Sequence, residues 1–137
     1  MAFYLGSVEL PTQKKQQMVD ITARVRAEVK SSGVQNGLCT VFAPHTTGAI
    51  TINENTDPDV QTDILNALER AVPQKGKYYK HEEGNAPAHA KAALIGASET
   101  VPVQGGKLLL GTWQAIYLWE HRRAPHRRQL IVTVVGV

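Results

Sequence analysis

A histidine, two hydroxyls, an amide and a carboxylate surround a short apolar stretch in Pro44-His45-Thr46-Thr47-Gly48-Ala49-Ile50-Thr51-Ile52-Asn53-Glu54-Asn55. These side chains can bind metal, bind phosphate or carry protons. Thr46, Thr47 and the Gly48 N–H could cradle a phosphate, and an ordinary glycine-containing turn explains them equally well. Five histidines are present: His45, His81, His89, His121 and His126. Imidazoles from His45, His81 and His89, converging from separate elements, would suit a divalent metal, Zn or Mg, with a position open for water or substrate. Their spacing is not a short ligand signature, so solvated loop histidines remain the competing reading.

Three further features could take part. Gly111-Thr112-Trp113-Gln114 breaks an apolar run, as at a bulge or a close approach to a ligand. Trp113 could stack on a planar ring and Gln114 could hydrogen-bond to it, or Trp113 could pack in the core. Glu120 alternates in phase with Ile116 and Leu118, so it points to the apolar side and needs an arginine, histidine or metal partner. Residues 120–128 read Glu-His-Arg-Arg-Ala-Pro-His-Arg-Arg and carry a net +3, which is the whole formal charge of the chain. Such a concentrated charge favours a local anion site over an extended nucleic-acid surface, so a nucleic-acid partner is not expected. Arg128 is the candidate phosphate ligand there, although a solvated turn explains part of the cluster.

The elements that must position these groups follow from periodicity. Residues 3–10 and 16–19 read as two strands around a turn at Pro11-Thr12. Asp20 can cap a helix with Ile21, Val25 and Val29 on one face, ending at Gly33. Residues 38–43 are nearly all apolar, as in a strand buried on both faces. Residues 48–54 form a strand in which Asn53 and Glu54 point to opposite sides. Asp57-Pro58 opens a helix with an apolar stripe at Val60, Ile64, Leu68 and Ala71. Residues 74–83 read as a loop, and Asn85 can cap a third helix whose N-terminus offers unpaired N–H groups to an anion. Strands follow at 100–103, 107–110, 115–120 and 129–135, the last two as a hairpin across the arginine-rich turn. The expected class is α+β: a single domain over residues 1–137, with a large mixed, mostly antiparallel sheet and about three helices.

The 137 residues suit one domain, and 42% hydrophobic content argues against disorder. The apolar runs are too short to cross a membrane, and the first ten residues lack the pattern of a signal peptide, so no membrane partner is expected. One cysteine, Cys39, excludes an internal disulfide and fits a reducing cytoplasm. Within Leu38-Cys39-Thr40-Val41 it reads as a small buried hydrophobe rather than a nucleophile.

Taken together, these motifs resemble the YjbQ family (UPF0047). The residues that carry the likeness are Pro44-His45-Thr46-Thr47, Ile52-Asn53-Glu54-Asn55, Tyr79 with His81, Gly84-Asn85 with His89 and Lys91, Leu110-Gly111-Thr112-Trp113-Gln114, and Glu120 with Arg127-Arg128. The resemblance implies a cytoplasmic homotrimer with a thiamine-phosphate synthase-like activity. That reaction joins a pyrimidine methyl diphosphate to a thiazole phosphate and releases pyrophosphate. It places His45, Asn53, Glu54 and Glu120 at the chemistry, and Thr46, Thr47, Asn85, Lys91, Trp113, Gln114 and Arg128 around the substrate. His45, His81 and His89 are then the metal candidates. A metal-dependent hydrolase of a small phosphate or ester, and a non-catalytic ligand-binding trimer, are the alternatives. His121 and His126 lie where the family pattern is loose and are not first-choice ligands.

Overall fold

Six consecutive residues, from Ala115 to Glu120, are buried, and such a strand needs partners on both edges and cover on both faces. The computed structural model, which describes residues 1–13, 16–81, 84–123 and 125–137, supplies both. Its elements are β1 (Ala2–Pro11), β2 (Gln17–Asp20), α1 (Thr22–Ser32), β3 (Asn36–Phe42), β4 (Gly48–Glu54), α2 (Pro58–Ala71), α3 (Ala86–Ile95), β5 (Ser98–Gln104), β6 (Lys107–Leu108), β7 (Gln114–Glu120) and β8 (Arg127–Gly136). β7 is the middle of a three-stranded sheet, β2-β7-β4, and β8 lies in a five-stranded sheet, β1-β8-β3-β5-β6. Every pairing among the described residues is antiparallel. The fold is α+β.

The two sheets enclose the main core. Val8, Leu10, Cys39, Val41, Val101, Val103, Leu130, Val132 and Val134 meet Ile50, Ile116 and Leu118, with Ile21, Val25 and Val29 at and within α1 closing one side. On the far face of the small sheet, Ala49 and Trp119 pack with Leu68 of α2 and Ile95 of α3. No helix among the described residues is long and apolar enough to cross a membrane.

Two expectations change. The chain from β7 to β8 crosses between sheets and is not a hairpin: β7 takes both its edges from β2 and β4, leaving none for β8. β3 is also not buried on both faces. Cys39 and Val41 point inward, whereas Leu38 and Phe42 stand 48% and 42% exposed on a sheet face that no helix covers. An apolar run cannot by itself distinguish burial within the chain from an open apolar face. The helix starts came out closely. The Asp57 carboxylate accepts the Asp59 N–H at 2.9 Å, and Asp20 accepts from the Thr22 N–H at 2.9 Å and its hydroxyl at 2.6 Å. The expected loop over 74–83 lies partly outside the described residues.

Candidate functional site

The register of β4 against β7 distributes the candidate residues. Gly48 faces Glu120 at one end, and Glu54 faces Gln114 at the other. At about 3.4 Å per residue, those ends are about 20 Å apart. The segment from His45 to Asn55 therefore borders two separate regions of the surface, not one pocket wall.

At the first end lies a cleft of ≈ 550 Å³ lined by His45, Thr46, Thr47, Arg122 and Arg128, with Phe42 and Ala97 as apolar cover. His45 is half-buried, and its Nε2 lies 2.8 Å from the Gln129 carbonyl. A carbonyl can only accept, so Nε2 carries a proton and donates it to Gln129. Behind the cleft stands a buried ion pair. Arg128 Nε donates to Glu120 Oε2 at 2.6 Å and Nη2 to Oε1 at 2.5 Å, while Nη2 also reaches the Thr47 hydroxyl at 2.9 Å. The Thr12 hydroxyl and the Arg122 N–H complete the carboxylate's shell at 2.9 and 3.0 Å. Burial alone would raise the Glu120 pKa, but Arg128, the Arg122 amide and Thr12 outweigh it and hold it below the usual carboxylate range. Glu120 thus has the arginine partner its alternation required. In this arrangement it is a braced anion rather than a free base, and two of the Arg128 nitrogens are committed within the chain.

At the opposite end, a cleft of ≈ 450 Å³ is lined by Asp20, Thr22, Asn55, Gly111, Thr112 and Gln114. Asn53 and Glu54 diverge, as strand alternation requires, and the Asn53 Oδ1 accepts the Glu54 N–H at 2.8 Å. The Gln114 side chain accepts the Gly111 N–H at 2.8 Å, holding the glycine break in place. Trp113 is 59% exposed, so the core-packing alternative does not hold.

The third group belongs to α3, which packs on β4. The His81 and His89 rings meet edge to face, with centroids 5.2 Å apart. Among the described residues no three His, Cys, Asp or Glu side chains stand together as a metal shell, so His45 does not join this pair within the chain. Lys91 is fully buried and donates to Glu69 at 2.7 Å and Gln16 at 2.9 Å, which ties α3 to α2 and occupies its charge. Asn85 stands at the start of α3 but makes no side-chain cap, and its Oδ1 is buried without a partner among the described residues. The Ala88 and His89 N–H groups both bond to the Asn85 carbonyl, so fewer helix N–H groups face outward than the sequence promised.

Sequence reasoning passed over His121. Its ring is buried beside Trp119, at a centroid distance of 5.3 Å, and neither ring nitrogen has a partner among the described residues. Burial, with Lys91 and Arg128 nearby and Glu120 opposing, pushes its pKa down to about 3, so the imidazole is neutral. His126 is also shifted down, by burial and then by Arg122 and Arg128. The only signal in the sequence was in-phase alternation: a histidine directly after a buried strand, in a turn otherwise read as solvated.

Comparison with known proteins agrees over nearly the full length. Residues 6–137 match the family described as UPF0047 protein YjbQ-like. A UPF0047 protein of Synechocystis is 45% identical over 130 residues, covering 93% of this chain and 88% of its own. YugU of Bacillus subtilis is 40% identical over 132 residues, covering 96% and 99%. Among solved structures, a YjbQ/UPF0047 family protein of Clostridium acetobutylicum superposes with a TM-score of 0.91 at 47% identity, covering 95% of this chain and 99% of its own. A protein of unknown function from Sulfolobus solfataricus gives 0.93 at 34% identity, with 98% of each chain covered. On sequence and on fold alike, this chain belongs to the YjbQ-like UPF0047 family.

Proposed function

We propose that this protein is a cytoplasmic enzyme acting on small phosphorylated heteroaromatic compounds. Thiamine-phosphate formation is the reaction its sequence motifs imply. The observation that carries the reading is the ≈ 550 Å³ cleft in which the His45 ring, the hydroxyls of Thr46 and Thr47 and the cation of Arg122 converge. In that reaction one C–N bond forms at the pyrimidine methyl carbon as its C–O bond to diphosphate breaks, the electron pair leaving with pyrophosphate. No proton has to move at the reacting carbon. The protein's task is therefore to hold both rings in line and to stabilise charge developing on the departing diphosphate. Arg122 and the threonine hydroxyls supply donors, and the Glu120–Arg128 pair fixes Thr47 in position. Among the described residues of one chain the imidazole set offers two neighbouring rings, His81 and His89, and no group of three ligands. No step is assigned to a metal.

The open face of the large sheet supports self-association. Phe3 and Leu5 are 71% and 63% exposed and share that face with Leu38 and Phe42. The homotrimer implied by the family motifs would cover them. Sedimentation at micromolar concentration tests this, and a monomer there would remove it.

For the activity, purified protein is given both phosphorylated substrates and assayed for thiamine phosphate and pyrophosphate. Product formation that falls at least about a hundredfold in His45→Ala, with unchanged melting temperature, supports the reading. No product above a mock purification refutes it. Phosphate release from either substrate alone would identify a hydrolase instead.

A further inference from the structure

Beside the main cleft lies a smaller cavity of ≈ 250 Å³, lined by Gln74, Asn85, Ala88, His121, Arg122 and Arg123. Three polar atoms of its lining residues are buried with no partner among the described residues: both nitrogens of His121 and Oδ1 of Asn85. Buried polar atoms are ordinarily paired, because each one left alone has lost its contact with water and gained nothing in return. Both residues line this cavity at the positive end of α3, and His121 is only 1% exposed.

The charges around the cavity set the sign of that ligand. Among the described residues, Glu69 binds both Lys91 and Arg123, and Glu120 binds Arg128, so two carboxylates face three cations. Arg122 is half-buried, and its side chain makes no hydrogen bond or ion pair with the described residues; only its backbone N–H is used, toward Glu120. Arg122 borders both the small cavity and the main cleft. A half-buried cation with no counter-ion, beside an imidazole N–H, favours an oxyanion. A half-turn of the Asn85 amide replaces Oδ1 by Nδ2 without changing the shape of the side chain, and then presents a donor to the same space.

We infer that the cavity bounded by Asn85, His121 and Arg122 is a second anion site, built for one phosphate group. The group belongs either to free phosphate or to a phosphate monoester. Arg122 stands between this site and the main cleft, so the protein holds two phosphate positions rather than one. The site goes beyond the proposed reaction and does not depend on it.

The test uses intact protein isotopically labelled in its histidine rings and titrated at neutral pH and constant ionic strength, with chloride as the control salt. One arm adds inorganic phosphate and the other phenyl phosphate. The His121 ring signals, assigned by their loss in His121→Phe, should shift saturably in at least one arm, and the arm that saturates first identifies the source. Arg122→Gln should weaken that binding about tenfold or more, the loss of a charge-assisted contact. His45→Ala should leave the His121 response in place, so failure of the main cleft and failure of this site are distinguishable. If His121 is unmoved in both arms, or if chloride shifts it as much, an ordered water is the occupant and the inference is overturned. Undiminished binding in a folded Arg122→Gln protein would overturn it as well.

Discussion

Replacing Arg128 with leucine would leave Glu120 fully buried with only the Thr12 hydroxyl and the Arg122 N–H as partners. Removing one member of a buried pair costs about 3–5 kcal/mol, because the remaining charge is uncompensated. For 137 residues the unfolding entropy is about 0.29 kcal/mol/K, so the melting temperature should fall by about 10–17 °C. The pH dependence carries more information than the size. In the native protein the Glu120 pKa is held below its unfolded value. Its contribution to stability is therefore present above about pH 4.3 and is lost as pH falls through the folded value. Without Arg128, burial dominates and the pKa rises above the unfolded value. The variant then gains by binding a proton, so its deficit should be largest near about pH 8 and shrink toward about pH 5. Thermal and urea unfolding of both proteins across that range measure it, and Glu120→Leu with Arg128→Leu should recover most of the loss. A deficit below about 1 kcal/mol at alkaline pH, or one that grows toward acid, would refute the reasoning.

The second buried cation should behave asymmetrically. Lys91 is fully buried whereas Glu69 is 36% exposed, so Glu69→Gln strands a charge and should cost about 1–3 kcal/mol. Lys91→Met leaves a carboxylate that water can reach and should cost less; urea titrations giving the reverse order would contradict the structure. The Cys39 thiol, pushed up to about 11 by burial, should resist a thiol reagent in native protein near neutral pH and react fully after unfolding. Rapid native labelling would show that β3 opens. Trp113→Ala should leave the melting temperature within about 1 °C, since the ring lies in solvent. A large loss of stability would return Trp113 to a structural role.

The local features of this chain were legible because local chemistry decides them. Asp57-Pro58 starts α2, Gly96 follows α3, and the alternation of residues 48–54 separates Asn53 from Glu54. Pairing was less legible. Nothing in residues 115–135 indicates that β7 and β8 take partners in different sheets, because antiparallel neighbours in sequence and in space carry the same signature. The site divided along the same line. The β4–β7 register sets Gly48, next to Thr47, opposite Glu120, and Arg128 reaches both Glu120 and Thr47 from β8 in the other sheet. The separation of His45 from His81 and His89 depends on where α3 docks, which spacing along the chain does not encode. His121 was missed because a buried polar group without a partner is visible only in three dimensions.

The roughly 20 Å length of β4 also has a thermodynamic meaning. Groups that far apart, with no shared partner, ordinarily contribute independently, so changes near His45 and changes near Gln114 should add in their effects on one chain's stability. A measured coupling energy between the two ends would then report something outside the strand itself: a long ligand spanning it, or a neighbouring copy folded around it. The strand works as an internal ruler, and non-additivity is how contact across its length would be read.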